Sequence, residues 1–166
     1  TKDKEFRDYF ADVVEKWAHK KVRFFEREQH GRPYYECRLN SINVLKFIED
    51  LVGARVEVPL AISHSSRNVQ VGFVKGFYDS EGCVLKNPKI VRVYNTNQRV
   101  IGQIKEMLVN LGFDEKRTRI RRHCYRENGK DMYVIAISNK HGMRMFHELI
   151  GFTIKRKQER LKSILI

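Results

Sequence analysis

The chain has 166 residues, with 33 Lys and Arg against 20 Asp and Glu, a net charge of +13 and 42% hydrophobic residues. That length holds one domain or two small repeats rather than a large multidomain enzyme, and the apolar content excludes a disordered basic tail. No run of about 18 apolar residues offers a membrane span, and the positive charge makes a polyanion, nucleic acid first, the expected partner.

In chain order, Glu5 to Trp17 carries Phe6, Tyr9, Phe10, Val13, Val14 and Trp17 at helical spacing. Its charges set it apart from a secretory signal. Lys21 to Glu28 alternates, with Val22 and Phe24 on one face and Lys21, Arg23, Phe25 and Arg27 on the other. A Gln-His-Gly-Arg-Pro turn leads to a partner strand, Tyr34 to Leu39, which adds Arg38. Asn40 or Ser41 caps a helix bearing Val44, Leu45, Phe47, Ile48 and Leu51, closed by Gly53. Ala54 to Asn68 reads as a connector of mixed character. Gln70 to Gly82 and the strand segment Val84 to Tyr94 follow, then a helix over Gln98 to Leu111 and a strand over Thr118 to Arg126. A turn at Glu127, Asn128 and Gly129 joins that strand to Met132 to Ser138. A helix from Lys140 to Ile150 and a basic helix from Lys155 to Ile166 complete the pattern.

Shifting the sequence by 98 residues lays the first third on the last third without a gap. Phe6 falls on Ile104, Phe10 on Leu108, Arg23 on Arg121 and Gly31 on Gly129. Tyr35 falls on Tyr133, Leu45 on Met143, Ile48 on Phe146 and Gly53 on Gly151. The match predicts a duplicated helix–strand–strand–helix unit. The expected organisation is a truncated first repeat at residues 1–55, a connector at 56–69 and a complete second repeat at 70–166.

Within Gln70 to Gly82, the residues Gly72, Gly76 and Ser80 recur every fourth place. A helical glycine costs about 1 kcal/mol against alanine, so such a stripe predicts close contact with another helix. Gly82 suits a left-handed helix stop. Asp79 and Glu81 then lie at the negative end of the helix dipole, as ordinary surface acids or as oxygen ligands of a divalent cation. The three cysteines, Cys37, Cys83 and Cys124, form neither a disulfide framework nor a metal motif, which predicts a reducing, cytoplasmic setting.

Strand alternation separates a core face from a basic one. Arg119, Arg121, His123 and Tyr125 share one face of the late strand; Lys21, Arg23, Arg27 and Arg38 share one face of the early ribbon. Lys86 and Arg92 do likewise after the glycine-rich helix, and Lys89 between them is a further candidate for DNA contact. Positive charge without interspersed acid predicts DNA contact through these ribbons, with a solvated polar sheet face as the alternative. The run Lys155, Arg156, Lys157 with Arg160 and Lys162 reads as a solvated face or a backbone-phosphate contact.

Residues 73–82, FVKGFYDSEG, resemble the signature helix of the LAGLIDADG homing endonucleases, with Gly76 to Gly82 on the last seven places. Ile150 to Phe152 and Val93 to Asn97 are similar to archaeal intron-encoded members. The resemblance implies an α+β fold, an αββαββα saddle of helices over antiparallel β-ribbons, pseudo-duplicated. It implies a site-specific DNA endonuclease acting with Mg²⁺ or Mn²⁺ on a long double-stranded target. Glu81 fills the signature acid position, the Ser80 carbonyl adds a metal contact, and Lys86 or Lys89 serves as the basic residue near the reaction. Asp79 then caps or braces the helix junction. Such enzymes use two signature acids and only one is recognisable here, so either a second chain, as homodimer or complementary fragment, is expected to complete the site, or the sequence starts after a first motif that was lost. A derived RNA maturase or DNA-binding regulator without cleavage is the alternative.

Overall fold

The computed structural model describes residues 1–52, 57–123 and 131–166. Two compact units divide the chain, Thr1–Gly53 and Ala54–Ile166. The expected Gly53 cap, Cys124, Tyr125 and the turn at Glu127 to Gly129 lie outside the described residues.

In the first unit, helix α1 (Lys4–Ala18) stops at His19, whose φ of 51° is left-handed. Strands β1 (Arg23–Gln29) and β2 (Arg32–Arg38) form an antiparallel hairpin, and α2 (Ile42–Val52) follows. The turn is tighter than the sequence pattern suggests. His30 and Gly31 adopt φ of 54° and 70°, a two-residue geometry whose twist matches the strands. Pro33 therefore enters the ladder, opposite Glu28. Such a two-stranded sheet has only edge strands, and an edge tolerates the missing N–H. The unit is organised around Arg7, which is buried between the rings of Phe24 and Tyr35, at 4.9 and 5.2 Å, and pairs with Asp8 and Glu26.

The second unit runs α3 (Leu60–Ser63), α4 (Arg67–Glu81), β3 (Gly82–Leu85), β4 (Ile90–Asn95), α5 (Gln98–Asn110), β5 (Ile120–His123), β6 (Met132–Ile137), α6 (Lys140–Leu149) and α7 (Lys155–Leu165). The expected connector thus contains α3 and the first turn of α4. The sheet has the order β3-β4-β6-β5 and is antiparallel throughout. Its alternation puts Val84, Val91, Val93, Ile135 and Ile137 on one face, where they pack with Ile101, Ile104 and Leu108 of α5, Met143 and Phe146 of α6, and Val74 and Tyr78 of α4. Side-chain caps set both helix starts. Asn97 accepts from the Arg99 and Val100 amides ahead of α5, and Asn139 from the Gly142 amide ahead of α6.

Two expectations change at the start of the sheet. Lys86 and Lys89 occupy the β3–β4 turn rather than a strand, because Pro88 between them has no N–H for a ladder. Gly82 is extended, with φ −90° and ψ 157°, so α4 passes straight into β3 without a left-handed stop. The glycine is needed for a different reason. A Cβ there would run into the Tyr78 carbonyl oxygen and stand 3.0 Å from the Tyr78 ring. Gly82→Ala is expected to cost about 1–3 kcal/mol through this clash, read as a lowered melting temperature. An unchanged melt would mean the helix–strand junction has room to yield.

Candidate functional site

Helix α4 presents the two acids of its last turn, Asp79 and Glu81, in opposite ways. Asp79 is 2% exposed, and its carboxylate accepts from the backbone amides of Thr153, at 3.0 and 3.1 Å, and Ile154, at 3.3 Å. It caps the start of α7, where an anion is favoured. Glu81 is exposed at the carbonyl end of α4, next to exposed Ser80, whose hydroxyl donates to the Phe77 carbonyl at 3.1 Å. Gly72 and Gly76 are exposed as well, and a Cβ on either would meet open space.

Among the described residues no three of His, Cys, Asp and Glu gather as a metal site. Glu81 nevertheless suits one edge of an oxygen-ligated divalent cation, its carboxylate exposed beside the last helical carbonyls. Asp79 does not contribute, since both its oxygens are engaged by amides.

The structure does not bring Lys86 to Glu81. Four residues of extended β3 separate them, and at ~3.3 Å per residue the two backbones stand roughly 16 Å apart. The basic group that bonds this helix end is Lys157 of α7. It is 8% exposed, and its ammonium donates to the carbonyls of Asp79 at 2.6 Å and Tyr78 at 3.3 Å. This corrects its reading as a solvated or phosphate-touching residue. A signal was present: Ile154, Lys157, Leu161 and Ile164 follow helical spacing, which places Lys157 in the buried stripe of α7. Arg156 and Arg160 stay exposed and line, with Ser80, Gly82, Cys83 and Lys157, a cavity of 320 Å³. Burial pushes the Cys83 thiol above its ordinary pKa despite Arg92, Lys157 and Arg160, so it is no ready nucleophile.

Away from the core, the other face of the same sheet is basic. Register pairs Arg92 with Ala136 and Arg121 with Val134, so both arginines project opposite the buried valines and isoleucines. They line a cavity of 590 Å³ together with Tyr94, Lys116, Arg117, Arg119, Arg122 and His123. Arg119 precedes β5 and donates to the Lys116 carbonyl at 2.7 Å. Arg117 and Arg122 pair with Asp114 and Asp131. Of the residues assigned to the late strand face, Arg119, Arg121 and His123 come together here, with Arg92. Lys86 and Lys89 are exposed in the turn. Lys116 and Arg117 were missed because they precede the strand rather than alternate along it.

The early ribbon is less purely basic than its sequence pattern suggests. Arg23 and Arg38 are cross-strand partners, but Glu36 shares their face and pairs with Arg38 and Arg27. The Arg38 hydrogen bond holds the Glu36 carboxyl below the usual carboxylate range. Arg27 lies 4.9 Å over the Tyr34 ring and Arg38 4.8 Å over Phe25. Lys21 precedes the strand and pairs with Glu15 at 3.1 Å, off the ribbon face.

A family profile for a LAGLIDADG-like domain matches residues 68–151. Among curated proteins, glutamine–fructose-6-phosphate aminotransferase (isomerizing) of Methanocaldococcus jannaschii is 24% identical over 138 residues, covering 80% of this chain and 12% of that protein. The replication factor C small subunit of the same organism is 26% identical over 168 residues, covering 98% and 9%. The DNA polymerase of Thermococcus kodakarensis is 31% identical over 96 residues, covering 55% and 6%. The chain thus spans about a tenth of the length of the curated relatives it matches. Mesophilic variants of the homing endonuclease I-DmoI share the fold, with a TM-score of 0.60 at 22% identity over 87% of this chain and 73% of that chain. For I-DmoI in complex with DNA and Ca the TM-score is 0.61 at 20% identity, covering 92% and 72%. At such identities the likeness shows the fold.

Proposed function

We propose, from the premise that this chain belongs to the LAGLIDADG-like domain family, that it acts as a site-specific endonuclease hydrolysing phosphodiesters in a long double-stranded DNA target. The observation that carries the reading is the placement of Glu81. An exposed carboxylate ends α4, and the next residue opens a sheet whose outer face is lined by arginines. A basic sheet face attracts phosphate and carries Arg side chains that suit guanine edges. Glu81 and the neighbouring Ser80 carbonyl would hold Mg²⁺ or Mn²⁺, with phosphate oxygens and water as the remaining ligands. When bound, the cation activates water and stabilises the leaving oxygen. A point variant of I-DmoI, of the same fold, has been solved with its target DNA in the presence of Mg, and I-DmoI with DNA and Mn, which supports this assignment.

A second protein chain, as a homodimer or complementary fragment, belongs to the proposal. In the first unit Tyr9, Phe10, Val13, Leu45, Ile48 and Val52 are 39–52% exposed. Their counterparts 98 residues on, Met107, Leu108, Leu111, Met143, Phe146 and Ile150, are at most 4% exposed in a core shared with α4, β3 and β4. The order α1-β1-β2-α2 also parallels α5-β5-β6-α6, which supports the duplication and the repeats proposed at 1–55 and 70–166. An element equivalent to α4-β3-β4 on the first unit would bury its apolar face and bring a second signature acid. The exposed Gly72, Gly76 and Ser80 stripe would then receive the partner helix.

A reducing, DNA-associated setting fits the free Cys37 and Cys83. Among the described residues no helix is long and apolar enough to cross a membrane.

The test is cleavage of a randomised double-stranded target library in Mg²⁺ or Mn²⁺, with Ca²⁺ as the control metal. Selective loss of one long target is expected. Tight binding of a single target that is cut in neither Mg²⁺ nor Mn²⁺ would instead favour a binding module, a maturase or a DNA-binding regulator.

A further inference from the structure

We propose that Lys157 is a positioning residue for Glu81, acting through the backbone carbonyls at the end of α4; the proposal rests on the reading of Glu81 as the metal-binding acid. The two helices hold each other reciprocally. Asp79 of α4 takes the Thr153 and Ile154 amides at the start of α7, and Lys157 of α7 takes the Tyr78 and Asp79 carbonyls at the end of α4. The Gly82 amide also donates to the Tyr78 carbonyl. Glu81 is thereby fixed from both sides, by a closed helical turn before it and by Gly82, paired with Val93, after it.

The chemistry at position 157 calls for more than packing. The neighbouring stripe positions on α7 are Ile154, Leu161 and Ile164, and an apolar side chain of similar length would fill the same space against Phe152. A buried ammonium is costly unless hydrogen-bonded. What Lys157 adds is a positive charge on the carbonyl end of a helix, where the dipole otherwise opposes the charge of Glu81. The inner carbonyls of Tyr78 and Asp79 are engaged by Lys157, while those of Ser80 and Glu81 lie beyond the clamp.

The experiment uses the full chain and reads the helix end directly by amide hydrogen exchange. Lys157→Met is expected to speed exchange of the Gly82 amide about tenfold or more, with the Ile104 and Phe146 amides unchanged. On a cleavable target, its single-turnover rate at saturating Mg²⁺ is expected to fall about tenfold or more, with DNA affinity in Ca²⁺ within about twofold of wild type. A merely structural role would leave the folded variant cutting at the wild-type rate, and that result overturns the proposal. Unchanged Gly82 exchange overturns it whatever the nuclease does. Should Lys157→Met not fold, the unmutated protein still decides. Lys157 should resist amine acetylation while exposed Lys155 and Lys162 on the same helix react, and equal labelling overturns the clamp. Failure of the parent reading looks different: Glu81→Gln would cut at the wild-type rate while the Gly82 exchange difference persisted.

Discussion

Glu81→Gln is expected to slow cleavage about a thousandfold while sequence-specific binding survives, because loss of one metal-binding carboxylate removes several kcal/mol of transition-state stabilisation. The amide keeps the shape and hydrogen-bonding capacity of the side chain and removes only its charge. Glu81 is exposed and Lys157 already offsets the helix end, so stability without metal should move by no more than ~0.5 kcal/mol. Thermal melting, gel shift and cleavage on the same target check the three clauses. Wild-type cutting of both strands by Glu81→Gln would remove this residue from the chemistry.

Binding should be steeply salt-dependent. The net charge is +13, and Arg92, Lys116, Arg117, Arg119 and Arg121 border one sheet face. Six or more phosphate contacts would cost roughly three orders of magnitude in affinity between about 50 and 200 mM salt. Arg121→Ala is expected to relax base preference, since Arg121 projects from the outer face on edge strand β5, whereas Lys116→Ala should weaken all targets alike and lower the salt slope by about 1. A titration that barely responds to salt, or identical specificity profiles for the two variants, would take DNA contact away from this face.

The elements were legible where apolar periodicity was strong. Helix α5 begins at the expected Gln98, and β6 and α6 begin at Met132 and Lys140, because their buried residues repeat at 3.6 or 2 and Asn97 and Asn139 supply caps. Glu81 as an exposed helix-end acid was legible too, from the signature residues around it. What escaped depends on pairing across space. Glu36 neutralises part of the early ribbon because alternation along β2 puts it on the face of Arg38 and register brings Arg27 of β1 beside it. Lys157 looked like one member of a basic run, though its place between Ile154 and Leu161 marked a buried stripe. Gly82 was assigned a common helix-stop conformation, whereas the constraint is the Tyr78 carbonyl one turn back.

The bonds that join α4 to α7 span 74 to 79 residues of chain. Ribosomes add about 5–20 residues per second, so Glu81 leaves the exit tunnel roughly 4 to 15 seconds before Lys157. During that interval the last turn of α4 has no ammonium on its carbonyls and Asp79 has no amides to hold. A nascent chain therefore carries Glu81 well before the clamp that sets it. On the role proposed for Glu81, the order of synthesis is itself a delay on cleavage, ended when α7 docks.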